Sequence, residues 1–139
     1  MLSGEYRHSI DGKGRLFIPI KFREELSDTL YACKGFDNCI SVYSDYEWKK
    51  FTEALDATSL ITDAYLRRFF YAGVKEISID AQGRAVIPLD LRQKAGLDKE
   101  VTIIGMKDHF EIWDSDMLET KLNEVDTEAL TARLKELGL

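Results

Sequence analysis

Asp11-Gly-Lys-Gly-Arg15-Leu-Phe-Ile18-Pro19-Ile-Lys-Phe-Arg23 and Asp80-Ala-Gln-Gly-Arg84-Ala-Val-Ile87-Pro88-Leu-Asp-Leu-Arg92 share one frame, D-x-x-G-R-x-x-I-P-x-x-x-R, at a spacing of 69 residues. The 2 prolines of the chain fall at the same place in the two copies. A duplicated segment packs as a duplicated unit. The chain is therefore expected to build one object from two related halves.

Each copy reads alike. A strand (6–10; 76–79) enters the Asp-x-x-Gly-Arg turn, where Gly14 and Gly83 supply the positive φ of a tight hairpin. A second strand (15–18; 84–87) ends at Pro19 or Pro88, which cannot donate to a ladder but suits the start of a helix. Short helices over 20–26 and 89–95 follow, the second stopped by Gly96. Period-two alternation then predicts strands over 30–34, 39–43, 101–105 and 110–113. Aligning Gly35 with Gly105 lengthens the spacing to 70, which implies one extra residue near Gly96-Leu-Asp.

Helices are expected after each half. Ser44-Asp-Tyr-Glu47 is a capping box with Trp48, Phe51 and Leu55 on one face beyond it. A helix over 60–72 carries Leu60, Ala64, Phe69 and Tyr71 with the basic pair Arg67-Arg68, read as a solvated edge. Leu118, Leu122 and Val125 form another stripe, and Leu130, Leu134 and Leu137 a last one over 127–137 that must pack on something. Trp48 and Trp113 are read as core residues that begin matching helices. The division is a first module over 5–47, a helical connector over 48–75, a second module over 76–119 and a helical tail over 120–139.

Composition bounds the function. At 45% apolar and 11% aromatic, 139 residues can bury a core. No apolar run approaches the roughly 20 residues of a membrane span, and the N-terminus lacks signal-peptide features, so a soluble cytoplasmic protein is expected. Cys33 and Cys39 match no redox or zinc spacing and read as small apolar side chains. His8 and His109 have no partner at metal spacing, so no metal, cofactor or small-molecule ligand is expected. Net charge is −6, yet residues 5–23 carry +3 while residues 106–139 carry −5. The acidity is mostly C-terminal, which leaves the first repeat free to offer a positive face.

The doubled frame resembles the swapped-hairpin DNA-binding module of the AbrB/SpoVT/MazE type. A longer likeness runs to about residue 119 and points to the MraZ family of bacterial transcriptional regulators. It is carried by Gly4-Glu-Tyr-x-His8-Ser-Ile-Asp11-x-Lys-Gly-Arg15, Pro19-x-x-Phe-Arg23, Arg67-Arg-Phe-Phe-Tyr-Ala72, Asp80-Ala-Gln-Gly-Arg84, Lys94-Ala-Gly-Leu97 and Phe110-Glu-Ile-Trp113. The resemblance implies an α+β fold: an internally duplicated swapped-hairpin pseudo-dimer of double-split β-barrel type with flanking helices. It also implies a closed homo-oligomeric ring. The ring would bind repeated double-stranded promoter boxes of a cell-division and cell-wall gene cluster, usually as a repressor, in the cytoplasm at the nucleoid.

The residues suit that role physically. A β-ribbon can enter the major groove, and Arg15 can bind guanine O6 and N7 in a bidentate way. Lys13, Arg7, His8 and Lys21 are expected on phosphates, which position the protein and make binding salt-dependent. Gln82 and Asp90 replace Lys13 and Lys21 in the second copy, which is neutral over 80–92, so Arg84 is expected to contribute less. Asp11 and Asp80 are expected to support the turns with Gly14 and Gly83, accepting amides or holding the arginine four residues on. Three alternatives stand beside this reading: an ion pair that merely closes each turn, an antitoxin-like protein-binding module, and a structural ring without a ligand. Paired aspartates also suggest an aspartic protease, but Asp-Gly-Lys and Asp-Ala-Gln are not Asp-Thr/Ser-Gly, and adjoining arginines keep both carboxylates ionised. The chain is not expected to be an enzyme.

Overall fold

The two halves exchange strands. In the computed structural model, which describes residues 1–57 and 64–139, the elements run β1 (Glu5–Ser9), β2 (Arg15–Phe17), α1 (Ile20–Arg23), β3 (Thr29–Lys34), β4 (Cys39–Ser44) and α2 (Asp45–Asp56). Then come α3 (Ala64–Gly73), β5 (Lys75–Ser78), β6 (Arg84–Val86), α4 (Leu89–Lys94), β7 (Glu100–Gly105), β8 (Phe110–Asp114), α5 (Ser115–Asn123) and α6 (Thr127–Glu136). Strand β1 pairs with β7 and β5 with β3, so the first strand of each copy lies on the third strand of the other. Hairpins β3–β4 and β7–β8 meet through β4 and β8. The six strands form one antiparallel sheet, β1-β7-β8-β4-β3-β5, and β2 and β6 form a two-stranded ribbon.

A pseudo-dyad relates the halves. It passes between Leu16 and Ala85 in the ribbon and between Ser41 and Glu111 in the sheet, each residue facing its own counterpart. The chain is a pseudo-dimer of interleaved hairpins, with a ribbon over an open sheet and no closed barrel among the described residues.

Three layers follow from the alternation of side chains. Leu16, Phe22, Ala85 and Leu91 come from the ribbon, α1 and α4, and they pack on Leu30, Ile40, Ile103 and Phe110 of the sheet. Phe22 meets Tyr6 edge-on at 5.3 Å and Phe110 at 5.6 Å between ring centroids. Each fully buried aliphatic or phenyl group contributes about 1.5–3 kcal/mol, so this layer is the main source of stability. The other face of the sheet carries helices: Trp48, Leu55 and Phe70 of α2 and α3 over Cys33, and Leu118 of α5 beside Trp113 and Cys39.

Local signals set the helix starts. The Ser44 hydroxyl accepts the Glu47 amide at 3.3 Å, and Asp114 and Asp126 cap α5 and α6 by accepting the amides of Met117 and Glu128. Helix α1 stops at Arg23 rather than running to residue 26, with Glu24 as its C-cap.

Several expectations change once the halves are interleaved. Helix α3 buries Phe70 and half-buries Leu66, while Phe69 and Tyr71 are exposed; Leu60 lies outside the described residues. The helix must lie on Trp48 and Phe51, and Phe70, at 4.8 Å from Phe51, is the residue so aimed. Arg67 is no solvated edge, because it donates to Asp56 at 3.1 Å and ties α3 to α2. Trp113 lies within β8 and does not begin a helix; its counterpart is Tyr43, and that of Trp48 is Leu118. Ladder registers pair Leu30 with Ser44 and Val101 with Asp114, which makes Lys34, not Gly35, the counterpart of Gly105. The second copy therefore gains two residues before β7 and loses one in the β7–β8 turn. Gly105 is needed where it stands, because a Cβ there would collide with the Leu2–Ser3 backbone paired beside it.

Candidate nucleic-acid interface

The ribbon carries the site. Its register sets Arg15 opposite Val86 and Phe17 opposite Arg84. Directly opposed residues in an antiparallel pair share a face, so Leu16 and Ala85 point to the core and the other four point outward. Phe17 is 51% exposed and Val86 55%. Two arginines thus sit diagonally with an apolar side chain opposite each, in two-fold arrangement. Diagonal neighbours of this kind lie roughly 7–8 Å apart, about the span of two stacked base pairs.

Each arginine is held by its own turn. Asp11 accepts the amides of Lys13 and Arg15, both at 2.9 Å, and the Arg15 Nε at 2.6 Å. Asp80 repeats the pattern with the amides of Gln82 and Arg84 at 2.9 and 3.0 Å and the Arg84 Nε at 3.1 Å. The carboxylate occupies Nε and leaves the terminal guanidinium nitrogens without a hydrogen-bond partner among the described residues. Those two nitrogens are the pair that a guanine edge would need. Arg15 and Arg84 remain 31% and 21% exposed at the side chain, neither sealed nor free.

These contacts hold the carboxyls ionised. The Arg15 amide leads in lowering Asp11 from 3.8 to about 2; desolvation opposes it, and the Arg15 guanidinium and the Lys13 amide add to the lowering. Asp80 is lowered in the same way, led by the Arg84 amide against desolvation, with the Gln82 amide and the Arg84 guanidinium adding to it. A group whose folded value lies below its unfolded value stabilises fully above the unfolded value. The contribution of Asp11 is therefore complete above 3.8 and is lost as pH falls through about 2. A carboxyl carbon titration by NMR should show Asp11 changing near 2; a midpoint at the ordinary value means the turn is open.

The strand exchange brings each turn against the other half. Gly14 and Gly83 have φ of 78° and 83°. A Cβ on Gly83 would strike the Arg23 guanidinium, and one on Gly14 would lie 3.1 Å from Arg92 Nη2. Arg23 and Arg92 therefore cover the turns of the opposite copies. They are the residues missed above, although the final Arg of the frame, present twice, was the signal. Gly83→Ala should destabilise by more than ~1 kcal/mol, because positive φ and collision act together. Gly12→Ala, with nothing within 4 Å of the added carbon, should stay near neutral in the same urea titration.

The expected basic residues divide. His8, Lys21, Arg23, Phe17, Ile20 and Gln82 line one groove of about 530 Å³ on the ribbon side. Basic residues of the first copy thus flank the turn of the second, and its neutral sequence understates its surroundings. Lys13 is exposed on the first turn. Arg7 is the exception: it pairs with Thr102, whose hydroxyl meets Ser115 of α5, so Arg7 faces the helical layer, away from the ribbon. A one-residue step along a strand changes faces, and only the pairing tells which face is which.

Fold and site together define a duplicated swapped-hairpin protein with an arginine-bearing ribbon, an architecture suited to a nucleic-acid groove. A family model described as "MraZ protein, putative antitoxin-like" matches residues 1–67 and 70–137. The chain belongs to the MraZ family, which is a family of regulators and not of enzymes. It is 41% identical to the transcriptional regulator MraZ of Acetivibrio thermocellus, 43% to that of Caldicellulosiruptor bescii and 44% to that of Thermoanaerobacter pseudethanolicus, each over the full length of both chains. Among the described residues no helix is long and apolar enough to cross a membrane.

Proposed function

We propose that this chain is a sequence-specific DNA-binding transcription regulator whose β2–β6 ribbon enters the major groove. One observation carries the reading: two aspartate-held arginines on the outward face of the ribbon, each with unengaged terminal nitrogens. Arg15 reads a guanine edge and Arg84 a neighbouring base pair, while Lys13, Lys21, His8 and Gln82 contact backbone or flanking groups. Arg7 is left out because of the face it occupies. A single ribbon spans too little DNA to reach two half-sites one helical turn, about 34 Å, apart. Affinity therefore comes from several copies, a closed ring on repeated boxes, where linkage adds roughly 10²–10⁴ without new contacts. The target is the promoter of a cell-division and cell-wall gene cluster, the output is repression, and the site of action is the cytoplasm at the nucleoid.

A mobility-shift titration against the DNA upstream of the protein's own coding region, at two salt concentrations, tests this. Saturable binding that beats a scrambled duplex and weakens with salt is expected; equal binding to both duplexes sinks it. Lys13→Ala should weaken binding to all sequences alike and reduce the salt slope by about 1.

A further inference from the structure

Divergence between the copies opens a groove in one half where an ion pair forms in the other. At the frame spacing of 69 residues, Tyr6, His8 and Lys21 correspond to Lys75, Ile77 and Asp90. The ladders agree, because Tyr6 faces Ile103 and Lys75 faces Ala32, which hold the same place in β7 and β3. In the second half Lys75 pairs with Asp90 at 3.6 Å and Ile77 is buried. In the first half Tyr6 and Lys21 cannot form that ion pair, and His8 is only half-buried. The space beside them is the ribbon-side groove of about 530 Å³.

The lining of this groove suits an anion carried on an apolar body. Lys21 and Arg23 bring two positive charges and His8 a ring nitrogen, and among the described residues no acidic side chain lines it. Arg23 Nε is buried without a hydrogen-bond partner among the described residues, whereas Nε of its counterpart Arg92 donates to the Ile87 carbonyl at 3.0 Å. Buried polar groups are as a rule paired, and an arginine fork matches a phosphate or a carboxylate. The rest of the wall is apolar: Phe17 and Ile20 are exposed and Tyr6 is half-buried. Small-molecule sites are apolar clefts of roughly 300–1,000 Å³ with a few convergent polar groups, and this groove fits that description in size and in chemistry.

We propose that this groove binds a small organic anion, a phosphate or carboxylate head on an aromatic or aliphatic body, and that the bound ligand releases the protein from DNA. The head meets Arg23 and Lys21, and the body lies on Phe17, Ile20 and Tyr6. His8, Lys21 and Gln82 are the groups assigned above to DNA backbone or flanking contacts, so ligand and duplex compete for them. This regulation rests on the ribbon being the DNA surface; the binding of the anion does not. In the second half Asp90 would repel the same head, so the first half alone carries the site.

The test is equilibrium dialysis of the full chain with naphthyl phosphate, inorganic phosphate and naphthol at fixed ionic strength, followed by promoter-duplex anisotropy with and without naphthyl phosphate. Naphthyl phosphate should bind saturably and more tightly than either half-ligand. Arg23→Gln should remove that binding, and so should Lys21→Asp, a change at an exposed position that leaves the core intact. Ile20→Ala should weaken naphthyl phosphate and leave inorganic phosphate unchanged. At ten times its Kd the ligand should weaken duplex binding about tenfold by mass action. Naphthyl phosphate bound no better than inorganic phosphate, or bound equally by Lys21→Asp, overturns the site and leaves the ribbon reading standing. Ligand that binds the groove without displacing the duplex overturns the regulation. A parent that does not prefer the promoter duplex removes the ribbon reading and the regulation together, and the dialysis alone then decides the site.

Discussion

Arg15→Ala should abolish the preference for the promoter duplex over a scrambled one while leaving fold and assembly size unchanged. A bidentate arginine–guanine contact is worth about 1–3 kcal/mol of discrimination, so each ribbon loses roughly 5- to 150-fold, and a ring loses more because every copy is affected. Arg15→Lys should not rescue it, because an ammonium is a point charge without the planar fork. Arg84→Ala should cost less, since Gln82 stands where the first turn has Lys13. Asp11→Asn should fall between, keeping the cation but loosening the Nε contact that aims it. Fluorescence anisotropy with both duplexes separates these outcomes, and parental behaviour of Arg15→Ala and Arg84→Ala together would falsify the ribbon as the DNA surface.

Phe110→Ala should remove about 3–5 kcal/mol of stability, a large share of the roughly 5–15 kcal/mol by which a domain is stable. Phe110 is fully buried in β8 and packs on Phe22 of α1, so the lost ring belongs to both halves. Trp48 lies on α2 in the first half's helical layer, and Trp113 lies on β8 beside Leu118 of α5 in the second. Because β1 needs β7 and β5 needs β3, neither half can melt alone. Urea unfolding followed at each tryptophan in single-Trp variants should show one midpoint, shifted equally by Phe110→Ala. Two separate midpoints would mean that the halves are independent, and an effect no larger than that of exposed Tyr46→Ala would mean that Phe110 is not core.

Much of the candidate site was legible in the repeat. Asp11, Gly14 and Arg15 interact within five residues, so their composition alone dictates the turn, and the second copy states the same rule again. What was not legible was who covers whom. Arg23 belongs to the first copy but lies on Gly83 of the second, and no local pattern carries information about a partner 60 residues away.

Turn chemistry, helix caps and the two-fold repetition are short-range properties, settled by residues a few positions apart, and the sequence by itself determined them. The resemblance implied the strand exchange, but only the tertiary structure decided its register, with β1 on β7 and β5 on β3. It also decided that His8 faces the ribbon while Arg7 faces the helices, that Phe70 rather than Phe69 is the buried residue of α3, and that α6 buries no residue among the described residues. Those outcomes depend on which apolar surfaces find one another across the whole chain. Burial is non-directional and long-range in sequence, so the same alternating strand serves either face until its neighbour is chosen.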